Sequence, residues 1–345
     1  AEASVQADYA APQSATEKTL AAIWCDVLRV EQVGLDDNFF ELGGDSIVSI
    51  QVVGRARQAG IAFSPRDLFQ HQTVRSLAQV SQAAVEVSIE QGLIEGSAPL
   101  TPVQQWFFGL PIPRRDHWNQ SLLLTPRQPL ALEPLQAAVL KLIRQHDVLR
   151  LRFQREDQRW TQTHAAMPEQ APVWQRQAAS AEALDTLCDE AQRSLNLADG
   201  PALRVLLVDM ADGSQRVLLA VHHLVIDGVS WRVLLEDLQA LLKPTQAGVV
   251  APLPFKTSAY QHWAERLQAY AGSESLREEL ATWQLQLAGP ATELPGLRAE
   301  GGRQHRHGQQ VSVRLDASAT RQLLQEAPVA YRTQVNDLLL TALAL

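Results

Sequence analysis

The chain is poor in the residues that hold together disulfide-rich and zinc-binding proteins. Only two of its 345 residues are cysteine. Cys25 and Cys188 stand far apart and without the spacing of metal ligands, so we predict neither a disulfide framework nor a metal site.

Long hydrophobic runs are also missing. The longest apolar stretch, VLLAVHHLVI, is too short and too polar in its middle to span a bilayer. The N-terminal sequence has no basic start followed by an apolar core, so no secretion signal is predicted. We therefore expect a cytoplasmic protein without a membrane partner.

Positive charge is in deficit as well. The net charge is -8, and no basic run or basic-aromatic stripe is present, which argues against a nucleic-acid partner. The apolar share of 46% and the charged share of 20% are ordinary for a globular protein. A length of 345 residues is comfortable for two domains.

The first eighty or so residues carry the start signals of four short helices. Ser14 and Glu17 have the spacing of a capping box, and apolar residues then recur on one helical face. A second helix is predicted from Ser46, a short helical turn after Ser64, and a further helix after Thr73. Three residues of the second helix are predicted to point inward: Ile47, Ile50 and Val53. These helices together predict a small all-α bundle.

From about residue 98 onward, predicted strands alternate with predicted helices. The strand candidates are NQSLLL, VLRLRF, ALRVLLV, RVLLAVHHLV and a segment near 310–315. The helix candidates are a segment bearing Leu135, Val139, Leu142 and Ile143, residues 181–195, GVSWRVLLEDLQALL, two Trp-bearing segments within 257–288, and a helix from Asp316. This alternation predicts an α/β layered domain. Residues 83–97 lack such a pattern and are predicted to be a linker.

The stretch LGGDSIVS places Ser46 directly after Gly44 and Asp45, at the start of a predicted helix. One interpretation is local: serine favours the N-cap, so Ser46 is a helix cap. The other interpretation is chemical. Free amides at a helix start attract phosphate, and the glycines leave the hydroxyl open to another protein. The two interpretations are compatible.

The segment DNFFELGGDSIVSIQVVGRARQAG, with its flanking helices, resembles the peptidyl carrier proteins of non-ribosomal peptide synthetases over residues 16–82. In that family the serine of a GG[DH]S motif receives a 4'-phosphopantetheine arm from coenzyme A, attached by a phosphopantetheinyl transferase. The resemblance implies that Ser46 is the attachment site and that Gly44 and Asp45 belong to the cofactor-binding motif. Residues 1–15 look like the linker from an upstream adenylation domain. The arm holds its substrate at high effective concentration near each catalytic site.

The stretch AVHHLVIDGVSW contains the candidate catalytic residues of the second domain. His222 and His223 are adjacent in a predicted strand, so they point to opposite faces and at most one faces a given cleft. Asp227 precedes Gly228 and a helix, and we predict a structural role for it as a cap or ion-pair partner. The spacing lacks the helical geometry of the common zinc motifs.

This stretch resembles the HHxxxDG motif of the condensation and epimerization domains of the same synthetases, which share the chloramphenicol-acetyltransferase-like fold. The likeness runs over residues 98–345 and includes PLTPVQQWFF, RQHDVLRLRF and AYRTQVNDLLLTALAL. It implies that His223 is the catalytic residue in a tunnel between two lobes, of which this chain carries the N-terminal one. The residues implied to be structural at this active site are His222, Asp227, Gly228 and Trp231.

Three features favour epimerization over condensation. Trp231 follows the motif serine, PVQQWFF stands where condensation domains tend to carry an Arg-Leu-Trp pattern, and Asp45 rather than His precedes the carrier serine. The implied reaction interconverts the L and D configurations at the α-carbon of an aminoacyl or peptidyl thioester. A neutral His223 is one proton-transfer partner. The opposite partner in the family is a glutamate of the C-terminal lobe, and nothing here matches its motif, so we expect little activity from the first lobe alone.

Two alternatives remain open. A condensation domain would form a peptide bond between carrier-bound substrates, and a degenerate acyltransferase fold would act only as a binding scaffold. The intact His223 and Asp227 argue against the scaffold. For the leading hypothesis the expected partners are the phosphopantetheinyl transferase, the upstream adenylation domain, a downstream condensation domain and the thioester substrate.

Overall fold

The computed structural model describes most of the chain, and the described residues are 9–84, 89–157, 159–243, 252–289, 307–331 and 333–344. The chain divides into two compact units. One comprises residues 87–289, and the other comprises residues 1–86 and 290–345. Within the described residues, no helix combines the length and the apolar character that a membrane crossing requires.

Residues 9–84 contain the predicted helices, and each begins where the sequence signals indicate. The four helices are α1 (Ala15–Leu28), α2 (Ser46–Gln58), α3 (Pro65–Gln70) and α4 (Val74–Val80). Ser14 and Glu17 form the predicted capping box of α1. Ser64 caps α3 and Thr73 caps α4 through their side chains. Two short strands, β1 (Ile61–Ala62) and β2 (Gln82–Ala83), pair antiparallel in this region.

The core of the helical region is small and centred on aromatic packing. Trp24 and Phe39 are fully buried and meet edge to face, with ring centroids 5.0 Å apart. The prediction that Ile47, Ile50 and Val53 point inward is wrong for Ile50, which is 46% exposed, while Ile47 and Val53 are half-buried. The residues of α2 that are buried are Val48, Ser49, Val52 and Ala56. The sequence SIVSIQVV has apolar residues on more than one helical face, so its periodicity does not select the buried one.

Residues 87–289 form an α/β unit with two sheets, which confirms the predicted α/β architecture. The strands are β3 (Gly96–Ala98), β4 (Asn119–Leu124), β5 (Leu151–Glu156), β6 (Arg159–His164), β7 (Val173–Ala178), β8 (Leu203–Met210) and β9 (Gln215–His222). The larger sheet has the order β4-β9-β8-β7, in which only the β7–β8 pair is parallel. The smaller sheet has the antiparallel order β3-β6-β5. The predicted linker over 83–97 therefore ends on a paired strand.

The helices of this unit are α5 (Pro102–Gly109), α6 (Leu132–Gln145), α7 (Ala181–Arg193), α8 (Ser230–Leu242), α9 (Tyr260–Ala271) and α10 (Glu274–Leu287). Helices α6 and α8 pack on one face of the larger sheet, and α7 packs on the other. Odd-numbered residues of β8 and β9, such as Val205 and Leu219, pack in one core with residues of α6 and α8. Even-numbered residues, such as Leu206 and Leu218, pack in a second core with residues of α7. The period-2 alternation of a strand thus creates two cores.

The predicted strand near 310–315 is not a strand. Residues 308–316 have no regular secondary structure, and Val311 and Val313 are 90% and 87% exposed. A strand requires a partner for its backbone groups, and within the described residues none pairs with this segment. The helix predicted from Asp316 does begin there, with Asp316 as the N-cap of α11 (Ala317–Arg321). A π-helical turn, α12 (Ala327–Tyr331) and α13 (Val335–Ala344) follow.

Candidate functional site

Ser46 is the first residue of α2, and it is not the helix cap. Asp45 is the N-cap: its carboxylate accepts hydrogen bonds from the amides of Ile47 and Val48 at 2.8 and 2.6 Å. The interpretation of Ser46 as a cap is therefore wrong. The reason is conformational, because Asp45 has the extended backbone that a cap requires.

The two glycines before Asp45 are needed for different reasons. Gly43 has a φ of +98°, a conformation that residues with a side chain rarely adopt. Gly44 lies against the core, where its amide donates to the Phe39 carbonyl oxygen at 2.9 Å. A Cβ atom on Gly44 would lie 2.4 Å from the nearest atom of the Phe39 ring. The loop before Ser46 is thus fixed to the core through Phe39.

The hydroxyl of Ser46 fits a covalent attachment point. Ser46 is exposed, and the hydrogen bonds around it go to the Asp45 carboxylate and to the Ser46 carbonyl oxygen, which accepts from the Ser49 hydroxyl at 2.7 Å. The expectation of free amides for a phosphate does not hold for Ile47 and Val48, because Asp45 already occupies them. The start of α2 therefore exposes the Ser46 hydroxyl for modification, but these two amides are not available to bind a phosphate.

His222 is a buried histidine whose two ring nitrogens both have hydrogen-bond partners. It is the last residue of β9 and fully buried. Its Nε2 donates to the Arg115 carbonyl oxygen at 2.7 Å, and its Nδ1 accepts from the Leu224 amide at 3.1 Å. Burial, which disfavours the charged ring, lowers the pKa of His222 below its usual value.

His223 follows the end of β9 and is exposed. Its backbone amide donates to the Trp118 carbonyl oxygen at 2.8 Å. On the ring, Nδ1 lies 2.8 Å from the Ile226 carbonyl oxygen, and Nε2 lies 3.3 Å from Nε2 of Gln120. The two adjacent histidines therefore differ in environment: His222 is buried at the end of β9, and His223 is exposed in the turn after it, so only His222 lies in the strand that was predicted to contain both.

Asp227 holds the turn between His223 and α8. Its Oδ1 accepts hydrogen bonds from the Ser230 amide at 2.8 Å, the Ser230 hydroxyl at 2.6 Å and the Val229 amide at 3.1 Å. Burial raises the pKa of Asp227, but these hydrogen bonds outweigh it and bring the pKa below its usual value. Gly228, by contrast, has open space where a Cβ would stand.

Trp231 connects α8 to β4 through a residue that the sequence patterns did not single out. The Trp231 side chain is buried, and its indole N–H donates to Oε1 of Gln120 at 2.8 Å. Gln120 pairs with Val221, the residue before the two histidines, across the β4–β9 ladder. No local pattern in NQSLLL distinguishes Gln120, because Asn119 and Ser121 beside it are polar as well.

The stretch RQHDVLRLRF contributes a buried ion cluster to the same unit. Arg150, which is 1% exposed, donates to Asp147 at 2.5 Å. The Lys256 ammonium reaches the other oxygen of the same carboxylate at 2.7 Å. This cluster joins the end of α6 to the segment before α9, so its role is in packing.

Two family models match the chain. A phosphopantetheine attachment site model matches residues 18–80, and a condensation domain model matches residues 94–345. A linear gramicidin synthase protein from Brevibacillus parabrevis is 45% identical over 98% of this chain and 4% of its own length. Chondramide synthase cmdD from Chondromyces crocatus is 43% identical over 98% of this chain and 9% of its own length. The chain thus spans a small part of these relatives.

Solved structures agree with the family models. The epimerization domain from the third module of tyrocidine synthetase B is 34% identical, with a TM-score of 0.67, over 74% of this chain and 59% of that one. The condensation domain of the Monacolin K polyketide synthase MokA is 16% identical, with a TM-score of 0.54, over 71% of this chain and 57% of that one, and shows the fold alone.

These matches cover both regions of the chain that contain candidate site residues. A carrier domain of this family holds a covalent 4'-phosphopantetheine, and the exposed hydroxyl of Ser46 is chemically suited to that attachment. The chain belongs to the condensation domain family and carries a phosphopantetheine carrier domain before it, which is the organisation of a non-ribosomal peptide synthetase.

Proposed function

We propose that this protein carries an aminoacyl or peptidyl group on Ser46 and that His223 inverts the configuration of its α-carbon by proton transfer. The observation that carries the proposal is the state of the His223 ring. It is exposed, and its Nδ1 is held by the Ile226 carbonyl oxygen at 2.8 Å. A carbonyl oxygen only accepts, so Nδ1 bears the hydrogen and Nε2 has the lone pair of a base.

Ser46 provides the point of attachment. The arm supplies a thioester, which makes the α-hydrogen more acidic, and a flexible reach. The amides of Ile47 and Val48 donate to the Asp45 carboxylate, so in this proposal they do not bind the phosphate of the arm. We propose that Gly44 and Asp45 contribute to cofactor attachment by shaping this loop rather than by contacting the arm.

His223 acts on the α-carbon in the proposed reaction. The C–H bond breaks, the proton goes to Nε2 of His223, and the electron pair moves toward the carbonyl oxygen of the substrate. A proton then returns to the opposite face from a second acid. We propose that this acid lies in a second lobe, as the resemblance to epimerization domains implies.

The residues around His223 hold it in place. Asp227 fixes the turn through Ser230 and Val229, and that turn contains the carbonyl group of Ile226 that orients the ring. His222 anchors the end of β9 to the Arg115 carbonyl oxygen. We therefore propose structural roles for Asp227, His222 and Trp231. For Gly228 the structure gives no steric reason.

Epimerization is favoured over condensation by two observations. The similar solved epimerization domain is 34% identical, against 16% for the polyketide synthase condensation domain. The sequence also has Trp231 after the motif serine, and its indole N–H donates to Gln120, the side chain that contacts the His223 ring. Peptide-bond formation is the second candidate, supported by the condensation domain model over residues 94–345.

The proposed function requires several partners. A phosphopantetheinyl transferase must modify Ser46, and the carrier works with other domains of a synthetase module. We propose that an adenylation domain upstream loads the arm and that a condensation domain downstream uses the epimerized product.

The test uses the full-length synthetase that contains this chain. Its carrier is loaded from an L-aminoacyl coenzyme A by a phosphopantetheinyl transferase, in deuterated water. After cleavage of the thioester, chiral chromatography and mass spectrometry should find the D-isomer with deuterium on the α-carbon. The variant His223→Ala should give neither.

The variant His262→Gln is the matched control. His262 is an exposed histidine of α9 in the same unit, and its replacement should leave the rate of D-isomer formation unchanged. An amide product that keeps the L configuration and contains no deuterium would establish condensation instead. Deuterium incorporation that survives His223→Ala would remove His223 from the reaction.

A further inference from the structure

Three side chains from different elements form a chain of hydrogen bonds at the candidate active site. Trp231 on α8 donates its indole N–H to Oε1 of Gln120 on β4 at 2.8 Å. Nε2 of Gln120 then lies 3.3 Å from Nε2 of His223, after β9. The chain leads from a side chain that is 8% exposed to one that is open to solvent.

The orientation of the Gln120 amide follows from the chemistry of its neighbour. An indole nitrogen donates a hydrogen bond and cannot accept one, so the oxygen of the amide must face Trp231. The amino group of Gln120 then necessarily faces His223. Since that amino group only donates, Nε2 of His223 must accept and carries no hydrogen.

The other side of the His223 ring leads to the same state. Nδ1 lies 2.8 Å from the Ile226 carbonyl oxygen, which only accepts, so Nδ1 carries the hydrogen. Two independent contacts, one from the backbone and one from Gln120, therefore select the same neutral tautomer. The protonation of one ring nitrogen is set by the hydrogen bond that the other makes.

The neighbouring histidine is held in the opposite tautomer. Nε2 of His222 donates to the Arg115 carbonyl oxygen, and its Nδ1 accepts from the Leu224 amide. The fold thus gives two adjacent imidazoles opposite hydrogen positions. Of the two, it is His223 that has its lone pair on the nitrogen facing away from the turn.

We infer that Gln120 is a positioning residue that keeps Nε2 of His223 free of hydrogen, and that Trp231 fixes the orientation of Gln120. The inference rests on the proposed role of His223 as a proton acceptor. The contact at 3.3 Å is long for a hydrogen bond, so it yields readily when an α-hydrogen approaches Nε2. Gln120 acts through His223 and does not itself receive the proton.

The tautomer is measured directly on the 345-residue chain. The histidine rings are labelled with heavy nitrogen, and two-bond nitrogen–proton correlation spectra at neutral pH identify the protonated nitrogen of each ring. The signals of His223 are assigned by their loss in His223→Gln. We expect His223 to carry hydrogen on Nδ1 and His222 on Nε2, so His222 is an internal reference for the fold.

Variants of Gln120 separate positioning from packing. In Gln120→Glu the carboxylate only accepts, so it favours hydrogen on Nε2 of His223 and removes the base. We expect the tautomer to change and the rate of D-isomer formation in the full-length synthetase to fall on the order of 10²- to 10⁴-fold. Gln120→Leu leaves the Ile226 contact alone to select the tautomer, so hydrogen on Nε2 of His223 should become detectable as a minor form and the loss of rate should be smaller.

Trp231→Phe tests the second half of the inference. It keeps an aromatic ring in the buried site and removes the donor, so the Gln120 amide can turn over. We expect both tautomers of His223 to be detected, with a loss of rate between those of the two Gln120 variants. Loading of Ser46 should be unaffected in all of them.

The inference is overturned if the native chain carries hydrogen on Nε2 of His223, or if Gln120→Glu changes neither the tautomer nor the rate. It stands if the tautomers behave as expected in a protein that forms no D-isomer. In that case only the proposed epimerization fails, because the spectra do not depend on which reaction His223 serves.

Discussion

Ser46 and His223 are the two residues on which the proposed function depends, and their surroundings differ sharply. Ser46 stands at an exposed helix start where the capping bonds are made by Asp45. His223 is held through its amide by Trp118 and through its ring by Ile226 and Gln120. The Ser46 hydroxyl is thus accessible, whereas the His223 ring is held in one orientation.

The difference follows from what each residue has to do. A hydroxyl that another protein modifies needs access and a defined loop, and its own rotamer matters little. A base that removes hydrogen from carbon needs a fixed ring and a known lone pair. Around Ser46 the loop is therefore fixed through the backbone of Gly43 and Gly44. Around His223 the ring itself is held, by the Ile226 carbonyl oxygen and the Gln120 side chain.

The largest expected effect comes from removing the attachment atom. Ser46→Ala should abolish addition of the phosphopantetheinyl group by a phosphopantetheinyl transferase, measured by mass spectrometry of the intact chain. Because Asp45 makes the cap, the helix should remain and the melting temperature should change little. Ser81→Ala, which removes the hydroxyl that follows α4 and donates to the Leu77 carbonyl oxygen, should load normally. An arm that survives Ser46→Ala would contradict the assignment.

Substitution of the two histidines should separate chemistry from stability. His223→Ala should reduce the rate of D-isomer formation on the order of 10²- to 10⁴-fold with little change in the urea midpoint. His222→Ala leaves the Leu224 amide and the Arg115 carbonyl unpaired inside the protein, so it should lower the free energy of unfolding by about 1–3 kcal/mol. Equal loss of stability in both variants would erase the distinction.

The loop glycines provide a matched pair in the carrier region. Gly44→Ala forces a Cβ against Phe39 and should lower the free energy of unfolding by about 1–3 kcal/mol. Gly43→Ala meets open space and has only the cost of its positive φ, about 1 kcal/mol. Urea titrations of the two variants test the order. A larger loss for Gly43→Ala would show that backbone conformation dominates.

The smallest effect is the dependence of stability on pH. Burial lowers the pKa of His222 in the folded protein, so the unfolded chain binds the proton more readily. This contribution is present above the unfolded pKa of about 6.5 and is lost as the pH falls through that value toward the lower folded pKa. It amounts to about 1.4 kcal/mol for each unit by which the two pKa values differ.

Urea midpoints measured from pH 8 down to pH 5 test this linkage, because that range spans the unfolded histidine pKa of about 6.5. His222→Gln should have a weaker pH dependence than the native protein, even if it is less stable throughout. The same slope in both proteins would show that other groups, such as the buried His164, account for the acid sensitivity.

Features set by neighbouring residues were predictable from the sequence. The helix starts after Ser14, Ser64 and Thr73 were predictable because each capping side chain bonds to an amide only three residues further along the chain. All three were confirmed. The assignment of the cap at Ser46 failed for a local reason, because two good capping residues are adjacent and only the backbone conformation separates them.

Features set by distant residues were not predictable. The contact between Gln120 and Trp231 joins residues 111 positions apart, and no local pattern encodes it. The inner face of α2 is chosen by what it packs on, and the exposed segment at Val311 and Val313 has strand-like residues without a partner strand among the described residues. In each case the missing information is the identity of the neighbour.

The contact of Gly44 with Phe39 has a consequence for when the protein can be modified. Phe39 packs on Trp24 in the centre of the helical core, so the shape of the loop at Ser46 depends on buried residues. We expect an unfolded carrier to be a poor substrate for priming. Incorporation of a labelled arm would then serve as a gauge of correct folding in newly synthesised protein.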